Sequence, residues 1–148
     1  MVSEAKTNIR EELVPKITGG CLCGRIRYSG EAEPLRMVAC HCKDCQRQTG
    51  SAFLTVFAFP KGTVTLTGDP QIYTRPGGTT GMPLHRVFCP DCGSSIMMYR
   101  DDTNRINITA GTLDDTSFFK PTANIYCETK QEWVPLAPEM RRYSLQGE

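Results

Sequence analysis

The sequence predicts a mainly β fold held together by metal–thiolate bonds, and three observations predict it. Apolar residues recur with period two in short segments, helical periodicity is scarce, and seven of the eight cysteines fall into three tight groups. Thr63-Val64-Thr65-Leu66-Thr67 and Arg105-Ile106-Asn107-Ile108-Thr109 alternate throughout, so each turns one face inward. The cysteine groups are Cys21-Leu22-Cys23-Gly24, Cys40-His41-Cys42-Lys43-Asp44-Cys45 and Cys89-Pro90-Asp91-Cys92-Gly93.

In chain order, residues 1–16 carry mixed charges and no sustained apolar period, which predicts an N-terminal arm, with an early edge segment as the alternative. Residues 17–148 are expected to form a single domain, since 148 residues suit one core. Strands are expected over Arg25–Tyr28 and Arg36–Ala39, followed by the one helix, Lys43–Thr49, which Gly50 ends by accepting the left-handed conformation. Further strands are expected over Ser51–Phe59, Leu84–Phe88 and Ala123–Cys127. Gly68-Asp69-Pro70 predicts a hairpin between Thr63–Thr67 and Gln71–Thr74, and Asp101-Asp102-Thr103-Asn104 predicts one between Ser95–Arg100 and Arg105–Thr109. The Gly-rich run from Arg75 to Gly81 reads as an exposed connection, with the border of a pocket as the alternative.

Charge and hydropathy exclude several classes. Seventeen basic against sixteen acidic residues leave a net charge of +1, so neither nucleic acid nor an anionic membrane is expected as a partner. Met1–Lys6 lacks the apolar core of a signal peptide, and the longest largely apolar stretch, Phe53–Phe59, is too short to span a bilayer. A cytoplasmic location is therefore expected, where thiols stay reduced and clustered cysteines serve as metal ligands or catalytic groups. The alternative is a disulfide-stapled secreted domain.

Tetrahedral zinc, with Zn–S near about 2.3 Å, needs its sulfurs roughly 3.8 Å apart, which tight Cys-x-x-Cys or bent Cys-x-Cys turns supply. Gly24 and Gly93 follow two of these turns, where a chain wrapping a metal needs positive φ. Cys21, Cys23, Cys89 and Cys92 sum to the four thiolates of a closed structural site, and metal bound there would be folding energy. Cys40, Cys42 and Cys45 remain: three thiolates leading into the short helix, whose N-terminal amides favour their ionised form. Three protein ligands leave a position open, the arrangement of catalytic zinc; the alternative is a fourth protein ligand, His85 or Cys127. Zinc with three thiolates carries a formal charge near −1 and polarises water weakly, so hydrolysis is disfavoured and a soft ligand such as a substrate thiol is preferred.

The runs Gly20–Tyr28, Cys40–Gln46 and Phe88–Ser94, continuing through Ala110–Asp115 to Lys130–Trp133, resemble the glutathione-dependent formaldehyde-activating enzyme family, which includes centromere protein V. The resemblance implies a β-tent of twisted antiparallel sheets organised around a structural zinc at Cys21, Cys23, Cys89 and Cys92. It also implies a catalytic zinc at Cys40, Cys42 and Cys45, and a carbon–sulfur lyase-type activity on S-hydroxymethylglutathione, with glutathione the expected thiol partner. Asn124 stands where many relatives carry histidine.

Around the ligands, His41 lies between two of them and is expected to hydrogen-bond a thiolate or shuttle a proton. Arg47, on the helix, is a candidate for a glutathione carboxylate, and Trp133 for a pocket wall; a solvated helix face and a core anchor are the plainer readings. Lys130 shares that choice. His85 reads as a structural histidine and Cys127 as an inert core thiol in reserve as a zinc ligand. Two functional classes rival an enzyme: a non-catalytic zinc-binding recognition module, and a thiol or metal redox sensor.

Overall fold

The computed structural model describes residues 14–78 and 80–146. Most of the expected N-terminal arm lies outside them, and Lys16, placed in that arm from sequence, opens the first strand. The strands are β1 (Lys16–Gly20), β2 (Arg27–Glu31), β3 (Arg36–Cys40), β4 (Leu54–Pro60), β5 (Val64–Thr67), β6 (Gln71–Pro76), β7 (Pro83–Phe88), β8 (Ser95–Arg100), β9 (Arg105–Thr109), β10 (Ala123–Ile125) and β11 (Arg141–Arg142). The helix α1 spans Lys43–Thr49, and Gly50 ends it at φ 65° with its N–H on the Gln46 carbonyl. The protein is mainly β, with two sheets, one short α-helix and short 3₁₀ turns among the described residues.

A three-stranded sheet runs β1-β2-β5, and an eight-stranded sheet runs β11-β10-β3-β4-β9-β8-β7-β6. The expected hairpin of β8 and β9 is present, pairing Met97 with Ile108 and Tyr99 with Ile106. The expected hairpin of β5 with β6 is not: β5 pairs β2 in the small sheet, whereas β6 pairs β7 in the large one. Gly68-Asp69-Pro70 carries the chain from one sheet to the other. Gly68 sits at φ 96° so close to the Arg25 carbonyl that a Cβ there would lie 2.4 Å from it, leaving room only for glycine. The large sheet also departs from a wholly antiparallel pattern, because β10 runs parallel to both β3 and β11. The chain between β3 and β10 (residues 41–122) and that between β10 and β11 (residues 126–140) are each long enough for the crossover that a parallel pair needs.

Strand alternation gives the large sheet two different faces. Met37, Phe57, Ile108, Met97 and Val87 are successive cross-strand partners in one line and point to one side. They meet Ile17, Ile26 and Tyr28 of the small sheet and its approaches, forming the main core together with Phe59, Ile96 and Leu113. Phe57 and Phe59 are fully buried and pack edge to face at 5.2 Å, each burial contributing about 1.5–3 kcal/mol. The neighbouring line, Arg36, Ala58, Asn107, Met98 and Arg86, points to the opposite side, where a second apolar cluster of Val38, Cys40, Cys45, Leu54, Val56, Met98, Ala123 and Ile125 supports α1. No described helix is long and apolar enough to cross a membrane.

Candidate metal centres

Two sets of sulfurs converge. Cys21, Cys23, Cys89 and Cys92 form one group and Cys40, Cys42 and Cys45 another, with the ligand atoms in each within 4.8 Å of one another. The first group consists of two matching turns that follow β1 and β7. The Gly24 N–H bonds the Cys21 carbonyl at 3.1 Å and the Gly93 N–H the Cys89 carbonyl at 2.8 Å, with both glycines at positive φ, 80° and 74°. Each turn is closed again at its base, by Cys21 N–H to the Ile26 carbonyl and Cys89 N–H to the Ser94 carbonyl. Ser94 accepts the Leu22 N–H at 3.0 Å, so the turns are fastened to one another as well. The Cys21 and Cys23 sulfurs lie 3.5 Å apart, and those of Cys23 and Cys89 lie 3.8 Å apart. These are the separations that four sulfurs on one tetrahedral ion require. The Ser94 hydroxyl beside Cys92 lowers that thiol to about 5, and the Ile26 N–H donates to the Cys21 sulfur at 3.2 Å. Both contacts favour thiolates, the form that binds zinc.

The second group is local. Cys40 ends β3, Cys42 caps α1 by accepting the Cys45 N–H at 3.3 Å, and Cys45 lies in the first turn. A clamp outside the helix holds this loop: the Gln46 amide donates to the His41 carbonyl at 2.8 Å and to the Thr129 carbonyl at 3.0 Å, and the Thr129 hydroxyl also donates to His41. The thiols compete for one negative charge. Hydrogen bonds from Cys40 and Cys45 draw Cys42 down to about 2, while Cys42 pushes Cys40 up to about 12 and the two neighbours push Cys45 up as well. Three buried or half-buried sulfurs so close together become thiolates at once only around a cation, so the donor set fits a soft divalent metal.

Neither of the proposed fourth ligands joins this group. His85 stacks on Tyr99 at 4.7 Å and bonds Thr74 and Asp101 through its two nitrogens, and Cys127 donates to the Asn124 carbonyl at 3.5 Å. Beside the three cysteines opens a cavity of about 570 Å³. Cys40, Cys42 and Cys45 form part of its wall, and Leu54, Val56, Met98 and Ile125 give it an apolar floor. The cavity is strongly cationic: Arg36, Arg75, Arg86, Arg100, Arg105 and Lys43 line it, against Asp44 alone among acidic residues. Asp44 lies 3.6 Å from Arg75 and 3.8 Å from Arg86, and the Arg86 Nε donates to Gln48 at 3.0 Å, so α1 docks onto β6 and β7 through these groups. Arg75, Pro76, Gly77, Gly78 and Thr80 make the Gly-rich run a rim of the cavity, the alternative to an exposed connection.

Other expected residues lie elsewhere. His41 is wholly buried behind the cluster with Nε2 2.9 Å from the Asn124 Oδ1 and its ring 5.3 Å from Phe53; it does not line the cavity. β3 ends at Cys40, and of the three residues Cys40, His41 and Cys42 only the two cysteines line the cavity. Arg47 and Trp133 line a separate cleft with Gln46, Gly50 and Gln131, away from the sulfurs. Trp133 is exposed and donates to Gln131, and Lys130 donates to the Gln131 and Val134 carbonyls, tying down the following chain. The cavity arginines carry no motif. The one sequence signal for them is their phase, since Arg36, Arg86, Arg100 and Arg105 each occupy a strand position opposite in parity to the core residues beside it.

A model of the glutathione-dependent formaldehyde-activating enzymes matches residues 16–129. The chain belongs to this family. Its fold is also similar to that of a structural-genomics protein from Rhodobacter sphaeroides solved by crystallography. That likeness has a TM-score of 0.51 at 18% identity and covers 66% of this chain and 87% of the other. No curated protein matches the chain. For a member of the formaldehyde-activating family, the two cysteine groups suit two zinc ions, and the cavity opens beside the group of three.

Proposed function

We propose that this protein is a zinc-dependent enzyme of carbon–sulfur lyase type that joins a small thiol, glutathione by the family's name, to formaldehyde or cleaves the resulting S-hydroxymethyl adduct. The observation that carries the proposal is the three-cysteine group set in the wall of a cationic cavity of about 570 Å³, inside the range of about 300–1,000 Å³ typical of small-molecule sites. A concave site of this size suits a small molecule better than a macromolecular surface, which favours an enzyme over a recognition module.

Zinc bound by Cys40, Cys42 and Cys45 would supply a soft Lewis acid that keeps a substrate sulfur ionised at neutral pH. The chain does the rest. Leu54, Val56, Met98 and Ile125 exclude water from the sulfur end, and the six cations attract a negatively charged thiol and hold it. In adduct formation the sulfur lone pair forms the S–C bond, the carbonyl π pair moves to oxygen, and the proton lost by the thiol ends on that oxygen; cleavage is the reverse. Cys21, Cys23, Cys89 and Cys92 would hold the other ion as a cross-link between the sheets.

Carbon NMR of labelled formaldehyde mixed with glutathione, with and without protein carrying two zinc ions, tests this reading. Faster adduct formation or exchange than in the protein-free blank is expected, and a rate equal to the blank would remove the proposed activity.

A further inference from the structure

Helical periodicity gives α1 a second lined side. Lys43, Gln46, Arg47 and the capping Gly50 recur at the i, i+3, i+4, i+7 spacing of one stripe, distinct from the stripe of Cys42 and Cys45. With Gln131 and Trp133 this stripe borders a cleft of about 620 Å³, which none of the cysteines lines and which has the size of a small-molecule site. Lys43 and Arg47 are both exposed, and residues at this spacing have Cβ atoms about 5–6 Å apart. Neither is in an ion pair among the described residues. No described acidic residue lines the cleft, although the exposed Glu132 stands next to Trp133 in the chain.

The tryptophan of this cleft is oriented from the inside of the protein outward. The Gln46 Nε2 donates to the His41 carbonyl at 2.8 Å and to the Thr129 carbonyl at 3.0 Å, so both its hydrogens are committed and its oxygen faces the other way. That oxygen accepts from the Gln131 Nε2 at 3.0 Å, which leaves the Gln131 Oε1 to accept the Trp133 Nε1–H at 2.6 Å. Each amide orientation follows from the one before it, and the chain ends by holding the indole N–H inward. Trp133 is nevertheless 72% exposed. A large apolar ring is thus kept in water in a set orientation, and a flat ring stacking on it gains burial without the cost of ordering the indole.

We propose that this cleft is a second ligand site, for a small molecule that joins an aromatic ring to a phosphate monoester, as a nucleoside monophosphate does. The ring stacks on Trp133, and the phosphate lies between Lys43 and Arg47. A phosphate monoester carries a charge of about −1.5 to −2 at neutral pH, which two cations one turn apart balance, whereas a single carboxylate leaves one of them without a partner. The site is separate from the thiol site and does not depend on the activity proposed there.

Trp133 is the only tryptophan, so its fluorescence reports on this cleft. Titrating the zinc-loaded protein with adenosine 5′-monophosphate should quench that emission to saturation. In calorimetry, adenosine, which lacks the charge, and ribose 5-phosphate, which lacks the ring, should each bind at least tenfold more weakly than the nucleotide. Arg47→Gln should weaken the nucleotide about tenfold and leave adenosine unchanged; Trp133→Ala should weaken it about tenfold and leave ribose 5-phosphate unchanged. Both side chains are exposed, so thermal midpoints near wild type are expected, and should Trp133→Ala prove unstable, Arg47→Gln and the three-ligand comparison still decide. The cationic cavity offers the nucleotide a rival site, and the variants separate the two: nucleotide binding untouched by both substitutions belongs to the cavity and overturns the cleft site. Equal affinity for the nucleotide and ribose 5-phosphate, or no saturable quenching, would overturn it as well.

Discussion

Cys89→Ser and Cys42→Ser remove one sulfur each from the two groups, and the structure separates their consequences. Cys89 is wholly buried in the main core and its group joins turns that follow β1 and β7, strands belonging to different sheets. A structural zinc site is worth about 10–16 kcal/mol in small zinc-binding peptides, against a whole-domain stability of about 5–15 kcal/mol. Losing one of four ligands should therefore leave the domain unfolded at ordinary temperature. Cys42 belongs to a group drawn from six consecutive residues, so metal there cross-links nothing distant. Its sulfur does cap α1, but serine is among the best N-cap residues, so the helix start survives the exchange. Metal analysis with thermal unfolding should give two zinc ions for wild type, one for Cys42→Ser with the unfolding midpoint within a few degrees, and loss of cooperative unfolding for Cys89→Ser. A Cys89→Ser protein that melts like wild type, or a Cys42→Ser protein that fails to fold, would refute the division of labour.

Further outcomes are expected from other contacts. Gly19→Ala places a Cβ 2.3 Å from the Thr112 carbonyl and 2.2 Å from the Tyr28 hydroxyl, so the backbone must shift; a urea midpoint corresponding to a loss of about 1–3 kcal/mol is expected. His41→Ala deletes a buried ring and strands the Asn124 amide, costing about 2–4 kcal/mol in denaturant unfolding, while zinc stoichiometry and turnover per folded molecule stay near wild type because the ring is outside the cavity. Arg27, joined by two contacts, and the Thr18 hydroxyl at 2.7 Å hold Asp114 below the usual carboxylate range. A depressed folded pKa means stability present above the unfolded value of about 3.9 and lost as the pH falls through the folded one, so Asp114→Asn should flatten the acid limb of the stability–pH curve below about pH 4. An unchanged acid limb would show that the contact contributes nothing.

What the sequence made legible was local. The helix Lys43–Thr49 and its Gly50 stop, the β8–β9 hairpin and the two cysteine groups follow from turn chemistry, period-two alternation and ligand spacing, each readable within a few residues or from the number of sulfurs a closed site needs. Partner choice between strands was not. A short Gly-Asp-Pro link reads as a hairpin turn, yet here it spans two sheets, because β2 competes for β5 and a close approach at Arg25 decides the direction of the chain. The parallel placement of β10 likewise depends on where a distant segment returns. Trp133 and Arg47 were attractive by residue type alone, and the structure puts both beside a different cleft.

The arginine cluster shows why a mean charge conceals a site. A net charge of +1 describes the whole chain, but strand alternation sorts the charges by face and the order of the strands collects those faces. In Arg105-Ile106-Asn107-Ile108-Thr109 the isoleucines satisfy the core, so a polar face ordinarily facing water is free to become something else. Here that face, continued by Arg36, Arg86 and Arg100 on strands from three other parts of the chain, is roofed by α1 and the Gly-rich run and becomes the lining of a cavity. The same alternation therefore does two jobs on one sheet. Its apolar phase stabilises the fold, and its polar phase, inconspicuous in each strand separately, makes the cavity beside the three cysteines cationic.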